Sequence, residues 1–321
     1  LFNISPNKNP VKADRDPMEV FDLAVAKGMM NLHYAKACLN AKKHEIVQSS
    51  VPTIREGMKE SGAGLKVLKW LISSGTANNN DFLKDTSFAQ ILMEYLVAER
   101  LQEVCWKWIQ RGFTAIPQYL KTTEPKRKAM HRDIVGPLYL LIRAEASGDV
   151  SLDSAYLSMS RAIGYLQGCP KDHMRSLLSA PGWFLVHETT KLHSERPLST
   201  PSAFDSFFSL IPVLSKHSAY LFAHLSLLRP SGPSTDLALD LLRHLDPTFS
   251  MSKFLEKGYI CMALDTAKAL LEAGRYEDGE WVMDLLRDRW SQQLGIAGRG
   301  QLEQAKAEAT SLQLLEGLGL I

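Results

Sequence analysis

Few residues of this chain stand at spacings that chemistry uses. His187-Glu188 opens like the zinc-protease signature, in which two histidines four residues apart share one helical face and the glutamate serves as general base. Here position 191 is a lysine and the next histidine, His193, follows six residues after His187, so that pair does not form. Cys169 and His173 lie four apart, but Pro170 stands between them and no second ligand pair follows, which disfavours both a metal site and a nucleophile. Gly295, Gly298 and Gly300 imitate a phosphate loop without a strand before them or a Lys-Ser/Thr after them, and they read as a linker. Asp, His and Ser residues are scattered without a nucleophile elbow. The sequence therefore predicts a protein that is not an enzyme, with no catalytic residues, no cofactor and no metal ligands.

The one concentrated polar feature is basic. Residues 121–132 carry Lys121, Lys126, Arg127, Lys128, His131 and Arg132 against Glu124 alone. With 37 Lys and Arg against 35 Asp and Glu the net charge is only +2, so attraction to nucleic acid has to come from such a local patch. The cluster can hold phosphates, each contact adding salt-dependent affinity. The plain alternative is a solvated loop between structural repeats. Of the nearby aromatics Trp106, Trp108 and Tyr119, which can stack on bases, Trp108 falls on an apolar helical face, so Trp106 is the one expected at the surface. The expected binding residues are thus Lys121, Lys126, Arg127, Lys128 and Arg132, with Trp106.

The elements that position them are helices. Apolar residues, 45% of the 321, recur at helical spacing almost everywhere, and strict two-residue alternation is hard to find. The expected fold is all-α. An extended, proline-containing arm is expected over residues 1–17, followed by a helical domain over 18–321 with a possible subdivision near 121–136 or 194–203. The clearest unit has Phe88, Ile91, Leu92 and Tyr95 on one helix, a break at Ala98-Glu99-Arg100, and Leu101, Val104, Cys105, Trp108 and Ile109 on the next. The same shape is expected where Pro137 opens a helix to 146 that breaks at Ser147-Gly148-Asp149 before a helix to Tyr165, and where a helix over 259–272 breaks at Ala273-Gly274-Arg275 before a helix to Trp290. Each break asks for a residue that tolerates a left-handed backbone. Further helices are expected over 182–191, as two buried helices within 203–228, over 236–245, and over 301–318 as a capping element. Leu92, Leu101, Trp108, Leu270 and Trp281 are expected between paired helices.

Two classes are disfavoured by composition. The most apolar region, 204–228, is interrupted by Asp205, Pro212, Lys216, His217 and His224, so no run reaches the roughly 18 to 20 apolar residues of a membrane-spanning helix. The four cysteines, Cys38, Cys105, Cys169 and Cys261, are at least 64 residues apart, which speaks for buried thiols in a reducing compartment rather than a disulfide framework or clustered zinc ligands. Leu1 in place of an initiating methionine fits either a chain processed after targeting or one shortened at its start.

The strings FAQILMEYLVAERLQEVCWKWIQRGF and ALDTAKALLEAGRYEDGEWVMDLLRDRW resemble pentatricopeptide and tetratricopeptide repeats, and SGDVSLDSAYLSMSRAIGYLQG is similar to Sel1-type repeats. Arg100, Asp149 and Arg275 stand 49 and 126 residues apart, against the regular period of about 34 in such arrays, so the repeats are degenerate. The resemblance implies an α-solenoid of stacked antiparallel helix pairs. It also implies a non-enzymatic factor of mitochondrial RNA metabolism or translation, located in the matrix and binding single-stranded RNA or a ribonucleoprotein. Ala89 falls near the family's polar base-reading position and cannot hydrogen-bond a base edge, which leaves binding through the RNA backbone. The alternative implied by the same shape is a protein-protein scaffold or assembly adaptor, which could equally be cytoplasmic. A basic concave surface points to RNA, and an apolar or mixed-charge groove to a protein partner.

Overall fold

A computed structural model describes residues 15–148, 150–191, 196–215, 218–246 and 251–294. Among these residues there are helices and no strand, as helical periodicity requires. Most of the expected N-terminal arm, the glycine linker near residue 295, the capping helix over 301–318, His193 and Asp149 lie outside the described residues. The chain divides into two compact units, Leu1–Glu188 with His193–Ser199, and Thr189–Leu192 with Thr200–Ile321.

The first unit contains α1 (Pro17–Ala26), α2 (Leu32–Gln48), α3 (Ile54–Ser61), α4 (Ala63–Ser73), α5 (Thr86–Ala98), α6 (Gln102–Phe113), α7 (Ile116–Lys121), α8 (Lys126–Glu145), α9 (Asp153–Tyr165) and α10 (Lys171–Thr189). Asp16, Asn31, Thr53 and Asp85 cap α1, α2, α3 and α5 by accepting from first-turn N–H groups. The core centres on α5, in which Phe88, Ala89, Ile91, Leu92, Met93, Tyr95 and Leu96 are all buried. A helix apolar around most of its circumference has to be covered on several sides, and α2, α3, α4 and α8 all pack against it. The Tyr95 hydroxyl donates to the Leu39 carbonyl at 3.1 Å, and Lys43 pairs with Glu94 at 2.6 Å, tying α5 to α2.

The helix breaks follow the expected pattern. Arg100, Gly148 and Gly274 all have left-handed backbones, with φ of 61°, 79° and 73°. After Arg100 the Leu101 N–H reaches back to Leu96 O at 2.7 Å, and after Gly274 the Arg275 N–H reaches back to Leu270 O at 2.9 Å. That six-residue closure satisfies carbonyls that the helix end leaves open. Next to the first break, the Glu99 carboxylate accepts from the N–H groups of Gly64 and Leu65 at 2.7 and 2.6 Å, capping α4 from a neighbouring helix. Position 64 has to be glycine for this approach, because a Cβ there would lie 2.8 Å from that of Tyr95.

Several expectations are corrected. The segment containing the basic cluster is not a loop: α8 begins at Lys126 and runs through Pro137, the residue expected to open it. Proline has no N–H to give to the Asp133 carbonyl four residues back. The strength of the flanking helix formers and the packing of α8 against α5 and α6 override this local penalty. Likewise α10 starts at Lys171 and contains Pro181, well before the expected residue 182.

The second unit contains α11 (Pro201–Phe208), α12 (Ile211–Leu214), α13 (Ser218–Ser226), α14 (Asp236–Arg243), α15 (Lys253–Glu272) and α16 (Tyr276–Trp290). Among its described residues the apolar stretch 203–228 thus forms three helices rather than two, because Ser209-Leu210 and the extended Ser215 interrupt it. Leu92, Trp108 and Leu270 are buried, whereas Leu101 is half-buried and Trp281 is 36% exposed, with the Arg243 guanidinium 5.6 Å from its ring centre. An arginine lying over an indole replaces the helix that was expected to cover it.

Candidate nucleic-acid interface

The expected basic residues belong to two successive helices of the first unit. Lys121 ends α7, and Lys126, Arg127 and Lys128 form the first turn of α8, which has no acidic residue and no side-chain cap. Lys121, Lys126, Lys128 and Arg132 are exposed and make no ion pair among the described residues. Arg127 is half-buried, its guanidinium 5.0 Å from the centre of the Tyr119 ring, and His131 faces the Ser176 carbonyl at 3.0 Å. Cations at a helix N-terminus add to the positive end of the macrodipole. This end of α8 therefore concentrates positive charge, with Glu124 the one carboxylate within residues 121–132.

Trp106 is not part of that surface. It is 2% exposed, with the Arg161 guanidinium 4.4 Å from its ring centre and the Tyr165 ring at 5.9 Å. Arg161 in turn holds the Glu103 carboxylate through two nitrogens, which keeps Glu103 below the usual carboxylate range. The expectation of a surface indole fails because α9 covers the side of α6 opposite its main apolar face. Trp108 and Tyr119 are buried as well, so none of the three aromatics near the cluster is free to stack on a base.

Continuity of α8 through Pro137 brings together residues that the sequence reading missed. Lys128, Arg132, Gly136, Tyr139 and Arg143 follow at intervals of four, four, three and four, which places them on one helical face about 22 Å long. Opposite this face the 3₁₀ turn Asp81–Lys84 buries Phe82 and Leu83, with Phe82 edge-on to Trp108 at 5.1 Å, and leaves Asp81 and Lys84 outward as an ion pair. Asn80 donates to the Trp108 carbonyl at 2.9 Å, and Arg111 to Ala77 O at 2.9 Å and Asn80 Oδ1 at 3.2 Å, which pins the turn. Between turn and helix lies a cleft of about 430 Å³, walled by Lys84, Arg132 and Arg143 and floored by Leu83, Pro137 and Leu140. Asp81 and Asp133 also line it, so its rim is of mixed charge with cations in excess.

The chain matches no protein family, no curated protein and no solved structure. What this surface does has to be read from its own chemistry. Among the described residues no group of three or more His, Cys, Asp and Glu side chains comes together, and no helix is long and apolar enough to cross a membrane. Glu188 of the His187-Glu188 pair is held by Arg196 at 2.6 Å.

Proposed function

We propose that this protein is a non-enzymatic helical factor that binds single-stranded RNA, or the RNA of a ribonucleoprotein, through the start of α8. The observation that carries this is the set of exposed cations, Lys121, Lys126, Lys128 and Arg132, none of which has a carboxylate partner among the described residues. Phosphates supply the missing counter-charge, and the positive end of the α8 dipole favours anions for the same reason. The degenerate helix pairs, read as an α-solenoid of pentatricopeptide type, support an RNA ligand and a place in the mitochondrial matrix by resemblance.

A second reading has one observation in its favour. Asp81 and Asp133 on the cleft rim, over an apolar floor, make the mixed-charge groove that a peptide uses, as in an assembly adaptor.

Salt titration of RNA binding separates the two. Changing Lys126, Arg127 and Lys128 together to Glu is expected to weaken binding at least about tenfold across unrelated sequences. The log-log salt slope should shrink by about 1.4, since Lys126 and Lys128 each give up a phosphate contact worth about 0.7 on a single strand. Absence of affinity in the wild-type protein at low salt, or equal binding by the triple variant, would replace the RNA reading with the adaptor.

A further inference from the structure

The cleft beside α8 carries a group that phosphate binding does not need. Arg132 and Arg143 supply guanidinium groups, and Asp133 adds an exposed carboxylate that makes no ion pair among the described residues. Lys84, the nearby cation of the opposite wall, is bonded to Asp81, which holds its ammonium charged. At Gly136, one turn beyond Arg132, an added Cβ would meet nothing within 4 Å, so the helix backbone itself is open to the cleft. The Tyr139 ring follows on the same face, half-exposed, with Phe184 at 5.8 Å in a T-shaped contact and the Arg143 guanidinium 5.7 Å from its centre.

An unpaired guanidinium beside an unpaired carboxylate, above an open glycine and an aromatic ring, suits a flat ligand with adjacent acceptors on one edge and adjacent donors on another. Guanine alone among the RNA bases has both. Its O6 and N7 accept from an arginine fork, and its N1–H and N2–H match the two oxygens of a carboxylate. Adenine and cytosine present a single exocyclic amino group, and uracil a single ring N–H. The cleft volume of about 430 Å³ falls in the range of small-ligand sites, and the Arg143 guanidinium over the Tyr139 ring offers a flat cationic surface on which a base can stack.

We infer that the cleft is a guanine subsite of the RNA-binding face. The base lies over Gly136 and against the Arg143–Tyr139 pair, Asp133 accepts from N1–H and N2–H, Arg132 donates to O6 and N7, and Lys126 and Lys128 take flanking phosphates. This inference rests on the RNA reading of α8 and adds base preference to it.

The test compares a short uridine tract, the same tract with one central guanosine, and the same tract with one central adenosine, by fluorescence anisotropy at fixed salt. The guanosine strand is expected to bind at least about tenfold more tightly than the other two, as one bidentate base contact provides. Asp133→Asn should erase that preference while leaving affinity for plain uridine unchanged or slightly raised, because no phosphate contact is lost and one negative charge leaves the face. Gly136→Leu raises helix propensity, fills the open space over the backbone, and should likewise erase the preference. Equal binding of all three strands by the wild-type protein would overturn the guanine subsite and leave the RNA reading standing. So would a preference shared by adenosine, or one that survives both variants. No binding of any strand overturns both.

Discussion

Trp106→Ala is expected to lower the unfolding free energy by about 3 to 5 kcal/mol and to leave the RNA affinity of the folded protein unchanged. The indole is 2% exposed and joins α6 to α9, so its removal opens a large cavity between them. It also strips the partly exposed Arg161 guanidinium of the ring face 4.4 Å away, a contact worth about 0.5 to 1 kcal/mol. Urea melts measure the first effect. RNA titration under conditions where circular dichroism shows the variant still helical measures the second. An unchanged melting midpoint would mean that the ring is not packed, and a selective loss of RNA affinity would return Trp106 to the binding surface.

Glu145→Gln is expected to remove a pH dependence of stability that the wild-type chain carries between about pH 4.5 and 7. Glu145 ends α8 at 2% exposure, and burial raises its carboxyl from 4.5 to about 7. The Ser154 hydroxyl donates to Oε1 at 2.9 Å, the Ser158 hydroxyl lies beside it, and Arg55 and Arg161 act from further away. These partners lower the value without offsetting burial. Oε2 is buried with no hydrogen-bond partner, which makes it the natural seat of the proton. The charge in turn pushes the neighbouring Cys105 thiol further above its ordinary range, on top of its burial.

The sign follows from the upward shift. An acid whose folded value lies above its unfolded value leaves full stability below about pH 4.5, and stability falls as the pH rises through about 7. The shift corresponds to about 3 kcal/mol between the two limits. Denaturant melts at pH 5 and pH 8 should show a loss of that order in the wild type and much less in Glu145→Gln. Parallel profiles for the two proteins would mean that the carboxylate is stabilised in the folded state by partners beyond these.

The helix breaks at Arg100, Gly148 and Gly274 were legible because a left-handed residue after a helix is a local requirement, met by residues adjacent in sequence. The burial of α5 was legible for the same reason: its apolar face is written in consecutive turns. Pro137 shows where such reading ends. A proline is a sound reason to start a helix, and only the packing of α8 against α5 and α6 carries the helix past it. Once α8 is divided at Pro137, Lys128 and Arg132 no longer share a face with Tyr139 and Arg143, and the cleft is invisible. Lys84 and Asp133 escape notice too, since the 3₁₀ turn and the helix meet only in three dimensions. Trp106 was misplaced because the apolar stripe of α6 points to one partner, and nothing in that helix announces that α9 covers its other side.

Ultraviolet crosslinking of the full chain to labelled single-stranded RNA, followed by mass-spectrometric mapping of the modified peptides, locates the interface without any substitution. Crosslinks concentrated in residues 121–143, including Tyr139 on the exposed face of α8, are the expected result. RNA that is not retained, or crosslinks confined to peptides elsewhere in the chain, would contradict the assignment of this face as the RNA-binding surface.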